Sequence, residues 1–391
     1  MRSSSRFIAL VACLAFCMTQ VMAQAGLSVP STYRWPLPDW APRPVIPADN
    51  PMSEAKVALG RALFYDKRLS ANQTQACASC HLPAHGFGDG LALAVGSTGE
   101  AGKRNAMPLA NVAYLPTLTW ANPNVTTLEQ QILTPLFGEH PVEMGMSGKE
   151  QLLFERLKAD IDYPRLFRQA FPELKGDISL RTITRAIAAF ERTLLSFDSP
   201  YDRYRYGKQN QAISTSAKRG EQLFFGERLE CYHCHGGMNF TDNQIHRMQP
   251  LGERGFHNTG LYNQDGKGAY PPGHQGLREF TQQAADEGKF RTPSLRNVAV
   301  TAPYMHDGSI PTLKEVIRQH YAVNGRAGGG TGAASPLRSQ FIQGFQITES
   351  EIADLIAFLE SLTDPRFLRH AAHQAPANRP DSGVHPKPKR R

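Results

Sequence analysis

The chain has few residues to spare for covalent cross-links. Of its six cysteines, Cys13 and Cys17 lie near the N-terminus, and Cys77, Cys80, Cys231 and Cys234 fall in two copies of Cys-x-x-Cys-His. With the first two assigned to a cleaved leader, none remains for a disulfide, which excludes the stapled scaffolds common in oxidising compartments. A membrane span is also lacking. The apolar stretch from Phe7 to Met22 is short and carries Thr19 and Gln20. Preceded by Arg2 and Arg6 and followed by Val21-Met22-Ala23, it reads as a secretory signal over residues 1–23, so the mature chain is expected in a bacterial periplasm with no membrane span. Leu10-Val11-Ala12-Cys13 resembles a lipoprotein box but has too little apolar sequence ahead of it. Charge of one sign is scarce in the body as well. Of the formal +8, Arg2 and Arg6 leave with the signal, and Lys387, Lys389, Arg390 and Arg391 crowd the end. The nearly balanced remainder gives no electrostatic footprint for nucleic acid, and residues 371–391 read as a disordered basic tail.

What is present is organised around the two motifs. In Cys-x-x-Cys-His the two thiols reach the two vinyl groups of a porphyrin, and the adjacent histidine is delivered to the iron. Cys77, Cys80 and His81, then Cys231, Cys234 and His235, therefore predict two covalently attached haem c groups. An internal repeat accompanies them. Gly60, Leu63, Phe64, Arg68 and Leu69 recur as Gly220, Leu223, Phe224, Arg228 and Leu229, displaced by 160 positions, and the motifs come after them at a displacement of 154. The reading is a mainly α protein of two tandem cytochrome c-like domains, each with one covalent haem. The boundaries are an extended proline-rich arm at 24–50, a first domain at 51–205, a second at 206–370 and then the tail, with Ser199 to Gly220 as the junction.

Local patterns fill in the helices. Ile183, Ile187, Phe190 and Leu194 share one helical side within Leu152 to Leu195, which Pro164 and Pro172 interrupt. Thr348 and Glu351 form a capping box ahead of Ile352, Leu355, Ile356 and Leu359. Gly328 to Ser335 reads as a flexible loop.

From Gly60 to about Leu362 the sequence resembles the di-haem cytochrome c peroxidase and MauG superfamily. The matching pieces are Leu63-Phe64-Tyr65-Asp66-Lys67-Arg68-Leu69-Ser70, Arg104-Asn105, Leu128-Glu129-Gln130-Gln131, Pro141-Val142-Glu143-Met144 and Thr301-Ala302-Pro303-Tyr304-Met305-His306-Asp307-Gly308. Within it, Thr117 to Pro123 and Phe137 to Glu143 look most like the MbnH branch, whose members resemble MauG and oxidise tryptophan on a partner protein.

On residues alone, Glu143 solvates a loop, Gln131 lies on a helix surface, Pro135 breaks a helix and Trp120 is a buried aromatic. The resemblance gives them other work. Glu143 becomes the general acid–base for hydrogen peroxide at the first haem, Gln131 a hydrogen-bond donor to the bound oxygen, and Pro135 a wall of the distal pocket. Trp120 becomes a relay between the haems. Similar peroxidases cap the first iron with a histidine sixteen residues past the proximal one; that position here is Ser97, a poor iron ligand, so the first haem is expected to be five-coordinate. His85 reads as a loop residue. Those peroxidases also give the second haem an axial methionine, and none lies between Leu313 and Tyr321.

MauG-like enzymes place a tyrosine there. The His-Tyr-Ala match aligns Tyr321, whereas the helical face of Leu313, Val316, Ile317 and His320 turns His320 inward; a π-bulge would absorb the one-residue difference. Asn105, Thr301 and Pro303 match positions that hold calcium between the domains of relatives, and neutral oxygen donors suit a hard cation. The implied function is peroxide-driven oxidation of tryptophan on an exported copper-binding protein. The alternatives are a peroxidase that reduces hydrogen peroxide to water with electrons from a small redox protein, and a non-catalytic di-haem electron carrier.

Overall fold

A computed structural model describes residues 33–252, 254–325 and 333–377. The signal, the first part of the arm, most of the Gly328–Ser335 loop and the basic end of the tail lie outside the described residues.

Two helix crossings organise the fold. Helix α1 (Glu54–Phe64) lies against α2 (Leu180–Glu191), and α3 (Thr215–Phe224) lies against α4 (Glu349–Glu360). Each starts with the chemistry its sequence supplies. Ser53 caps α1 by accepting from the Lys56 amide, and Thr348 and Glu351 close the expected capping box on α4. The repeated glycines sit where the helices touch. A Cβ on Gly60 would fall 1.8 Å from the Ala186 carbonyl oxygen, and one on Gly220 would fall 2.0 Å from that of Asp354. Phe190 and Phe358 pack beside these contacts. Only a residue without a side chain permits so close a backbone approach, which is why Gly-x-x-Leu-Phe recurs.

Each crossing carries its own apolar core. Leu59, Leu63, Phe64, Ile183, Ile187 and Phe190 belong to one, and Phe224, Phe240, Ile352, Leu355 and Phe358 to the other. A second repeat, Leu-x-Asn-Val-Ala, ties each core's loops together. Asn111 and Asn297 both adopt left-handed backbone, with φ of 57° and 60°, and both open a 3-10 turn. The Asn111 amide donates to Leu194 O and its Oδ1 accepts from the Ser196 amide; the Asn297 amide donates to Leu362 O and its Oδ1 accepts from the Asp364 amide. Asparagine tolerates this region because its short polar side chain bonds locally. Among the described residues the only named strands are β1 (Phe256–Asn258) and β2 (Lys289–Arg291), paired antiparallel with Phe256 opposite Arg291. The protein is mainly α.

The chain ends depart from the sequence reading. The short helix Pro365–Arg369 packs on the first core, not the second: Phe367 is buried there against Phe87 at 5.6 Å between ring centroids. Residues 371–377 are not a free tail, since Arg61 donates to the carbonyls of Ala371 and Gln374, Tyr65 donates to that of His373, and His373 is buried. The reason is long-range. Positions just beyond the helix still carry backbone acceptors that α1 can bind, and the proline- and lysine-rich composition begins later. The junction Ser199–Gly220 likewise contains a capped helix, Pro200–Arg205, and the start of α3. Ser335, at the edge of the expected loop, is fully buried. The arm from Tyr33 onward forms no regular element but docks, with Trp40 stacked on Tyr206 at 3.9 Å.

Gly60→Ala and Gly220→Ala should each lower the unfolding free energy of the haem-loaded protein by about 1–3 kcal/mol or more, because a methyl group has no room at either crossing. Denaturant midpoints will show it; an unchanged midpoint for both variants would contradict the close crossing.

Candidate functional site

Both motif histidines are held the same way. His81 follows the one-turn helix Cys77–Cys80, and its Nδ1 lies 2.7 Å from the Phe87 carbonyl oxygen; His235 follows the turn Cys231–His233, and its Nδ1 lies 3.0 Å from that of Phe240. With Nδ1–H donated to a carbonyl, Nε2 is left as the free metal-binding nitrogen. Burial pushes both imidazoles below the usual histidine range, so both stay neutral. The four thiols are unpaired, and burial raises those of Cys77, Cys80 and Cys231.

On the first motif's far side, the helix Leu128–Gln131 ends and Leu133–Phe137 begins a residue later. Pro135 explains the interruption, since it has no N–H to donate to the Gln131 carbonyl. The first helix is anchored from behind. Glu129 accepts two hydrogen bonds from Arg192, at 2.9 and 2.8 Å, and a third from Asn50 at 2.6 Å. That places half-buried Gln131 on a fixed element. The next loop folds back when the Met144 amide donates to Pro135 O at 3.0 Å, which sets Glu143 beside the same segment. Glu143 retains accessible surface, yet surrounding protein pushes its carboxyl above the ordinary range, and its charge in turn raises the Cys77 and Cys80 thiols. The Ser97 amide donates to the Glu143 carbonyl at 2.7 Å. Backbone bonds thus join the Glu143 loop to Pro135 and Ser97, with Gln131 on the adjoining helix, whereas His85 lies in a 3-10 turn against Gly90.

At the second motif the helix beginning at Leu313 widens into a π-helix over Val316–His320 before Tyr321. The inserted residue lets both side chains turn inward. Tyr321 is crowded by protein, with Cys234, Cys231 and Tyr270 raising its phenol further. His320 is fully buried and neither ring nitrogen has a protein partner; burial alone lowers it, to about 4.

Trp120 stands between the two halves. Its Nε1 donates to Asn105 O at 2.8 Å, its carbonyl accepts from the Arg291 amide, and it packs in a cluster with Tyr270 and Phe290. Asn105 joins Trp120 to the segment carrying Thr301 and Pro303, because its amide donates to His306 O at 2.8 Å. The Asn105 Nδ2 is taken by Leu91 O at 2.6 Å. The amide oxygen therefore remains as that side chain's acceptor.

Two residues went unnoticed in the sequence. Arg291 is 3% exposed, and its guanidinium donates to Thr119 O, Thr292 O and the Met107 sulphur, while Asp242 acts on it through charge alone. A buried cation left so is costly. A haem, with its two carboxylates, would supply the missing anion, so the donor set fits the group on two counts: thiols with a free Nε2, and a cation in need of a partner. Glu191, on α2, is also buried; its carboxyl is pushed up to about 8, one oxygen has no partner, and it lies close enough to weigh on Cys77. Alternation of polar and apolar residues could have flagged neither, because both fall on core-facing positions where charge is rare.

The chain as a whole resembles known proteins. A family model described as di-haem cytochrome c peroxidase matches residues 54–210. The chain is 35% identical to a methylamine utilization protein MauG from Methylophilus methylotrophus, over 86% of this chain and 89% of the relative. It is 36% identical to cytochrome-c peroxidase IdrP1 from Denitromonas iodatirespirans, over 93% and 96% respectively. Its fold superposes on the crystal structure of a MauG-like protein associated with microbial copper homeostasis with a TM-score of 0.84 and 48% identity, covering 88% of this chain and 99% of that one.

Removing the charge of Arg291 as Arg291→Gln should lower the midpoint potential of one haem by roughly tens of millivolts, since a cation beside a haem favours the reduced iron. Spectroelectrochemical titration checks this; two unshifted potentials would show that the guanidinium faces neither haem.

Proposed function

This chain belongs to the di-haem cytochrome c peroxidase and MauG family, and on that footing we propose that it uses hydrogen peroxide to oxidise tryptophan on a partner protein by long-range electron transfer. Membership makes it a haem-dependent peroxidase-type oxidoreductase, with haem c as the implied cofactor. The finer reading rests chiefly on one observation: Tyr321, directly after the π-helix, has its phenol raised by charge on Cys234 and Cys231, in the segment where electron-accepting relatives use methionine. Ser97 next to Glu143 supports it, because a serine leaves the first site without a capping ligand.

The haem irons supply peroxide binding, O–O cleavage and storage of oxidising equivalents. The chain's own residues do the rest. Glu143 takes the proton from one peroxide oxygen and returns it to the other, and Gln131 holds the bound oxygen by hydrogen bonding. Reduction of one peroxide to two waters takes two electrons and two protons, and the electrons come from the partner's tryptophan. Trp120 lies on the route between the two halves and relays them, while Asn105, Thr301 and Pro303 hold a calcium ion at the same junction. Each Cys-x-x-Cys-His motif anchors one domain of a tandem cytochrome c-like pair, and the signal sends the chain to the periplasm. The partner is an exported copper-binding protein, a reading supported by the copper-homeostasis association of the MauG-like structure and by the match to the MbnH branch.

The resting ferric protein should give one high-spin and one low-spin signal in electron paramagnetic resonance; two low-spin signals would remove the open first site. Tyr321→Phe should perturb the low-spin signal and abolish long-range oxidation. If His320→Ala alone does this, His320 is the ligand.

Glu143→Gln should slow the reaction of the resting protein with stoichiometric peroxide by about 10²–10⁴-fold with both haems retained. Because burial raises this carboxyl, the parent's rate should fall as pH drops through an apparent pKa above the ordinary glutamate value, and the variant should lack that limb. Reactivity only after one-electron reduction would establish the conventional peroxidase instead.

A further inference from the structure

Away from the motif thiols, three side chains that none of the chemistry above employs converge. We propose that His274, His306 and Asp307 form a binding site for one divalent transition-metal ion of the zinc and copper(II) class. One ligand atom from each lies within 4.8 Å of the others. The tightest pair, His274 Nδ1 and His306 Nε2, are 3.3 Å apart. Two nitrogens bound to one tetrahedral zinc at its usual bond length are about 3.3–3.4 Å from each other. The two rings thus already span one edge of such a tetrahedron.

The three residues are also held in place by their surroundings. The His306 ring is 4% exposed and stacks on Phe290 with 3.8 Å between centroids, and its backbone carbonyl accepts from Asn105. Asp307 accepts from the Tyr262 hydroxyl at 2.6 Å and from the Ser309 amide at 3.1 Å, each oxygen keeping a lone pair for a metal. His274 sits on a turn closed by its amide to Pro271 O, and is only half-buried. Its side of the cluster offers the fourth position to water. Arg104, close enough to weigh on His306, is tied to Glu279 at 2.6 Å, which offsets most of its repulsion of a cation.

Two imidazoles with one carboxylate exclude calcium and magnesium as preferred guests and suit zinc or copper(II), copper being bound more tightly on general grounds. The site differs in its donors from the neutral oxygens of Asn105, Thr301 and Pro303. It does not depend on the oxidation chemistry proposed above.

The test uses the purified protein with both haems, freed of loose metal by a chelator and titrated with zinc sulfate. Elemental analysis after gel filtration should give one zinc for every two irons. Calorimetry should show affinity falling by more than about tenfold in His274→Ala and in Asp307→Asn, with haem spectra unchanged in both. Copper(II) added to the zinc form should displace zinc and give a copper resonance signal that His274→Ala lacks; zinc retained under excess copper would restrict the site to zinc. Absence of zinc above the iron count, or equal binding by parent and His274→Ala, would overturn the site and leave the two rings as a hydrogen-bonded pair.

Discussion

A neutral imidazole has one nitrogen that donates and one that accepts, so a buried histidine presents a fixed nitrogen to a metal when its other nitrogen has a settled partner. Here that partner is a backbone carbonyl, and supplying it is expensive. Phe87 and Phe240 adopt φ of 66° and 52°, a region that bulky residues avoid. The same conformation offsets its own cost, because it turns the carbonyl to the imidazole while sending the aromatic ring into the core, 0% exposed for Phe87 and 2% for Phe240. The helix crossings at Gly60 and Gly220 then enclose these rings, with Phe64 and Phe224 beside them. The close crossing, the strained phenylalanine and the oriented histidine are one device made twice.

Much of this was legible in the sequence, for identifiable reasons. Cys-x-x-Cys-His is a local motif whose chemistry does not depend on tertiary context, and the glycine repeat marks a steric requirement that no other residue meets. The capping box on α4 and the core face of α2 are likewise local. What escaped was long-range. The pairing of Asn111 with Ser196 and of Asn297 with Asp364 joins positions far apart, and the Leu-x-Asn-Val-Ala repeat that signals it is short and of ordinary composition. Arg291 and Glu191 escaped because a charged residue at a core position reads as an error in periodicity rather than as a site. The π-helix over Val316–His320 supplies the extra residue that the sequence asked of a π-bulge, so that His320 and Tyr321 both turn inward.

The charged groups near the motifs differ in kind. Glu129 is fully compensated by Arg192 and Asn50 and acts as a fastening. Arg291 reaches only neutral acceptors, and Glu191 leaves one oxygen without a partner.

The return of the chain's end to its beginning has a consequence for biogenesis. Phe367, the Arg61 contacts and the carbonyl of His373 complete the N-terminal half with residues that lie about 310 positions after α1. The first core is finished only when those residues are in place, so the two halves do not mature as independent units.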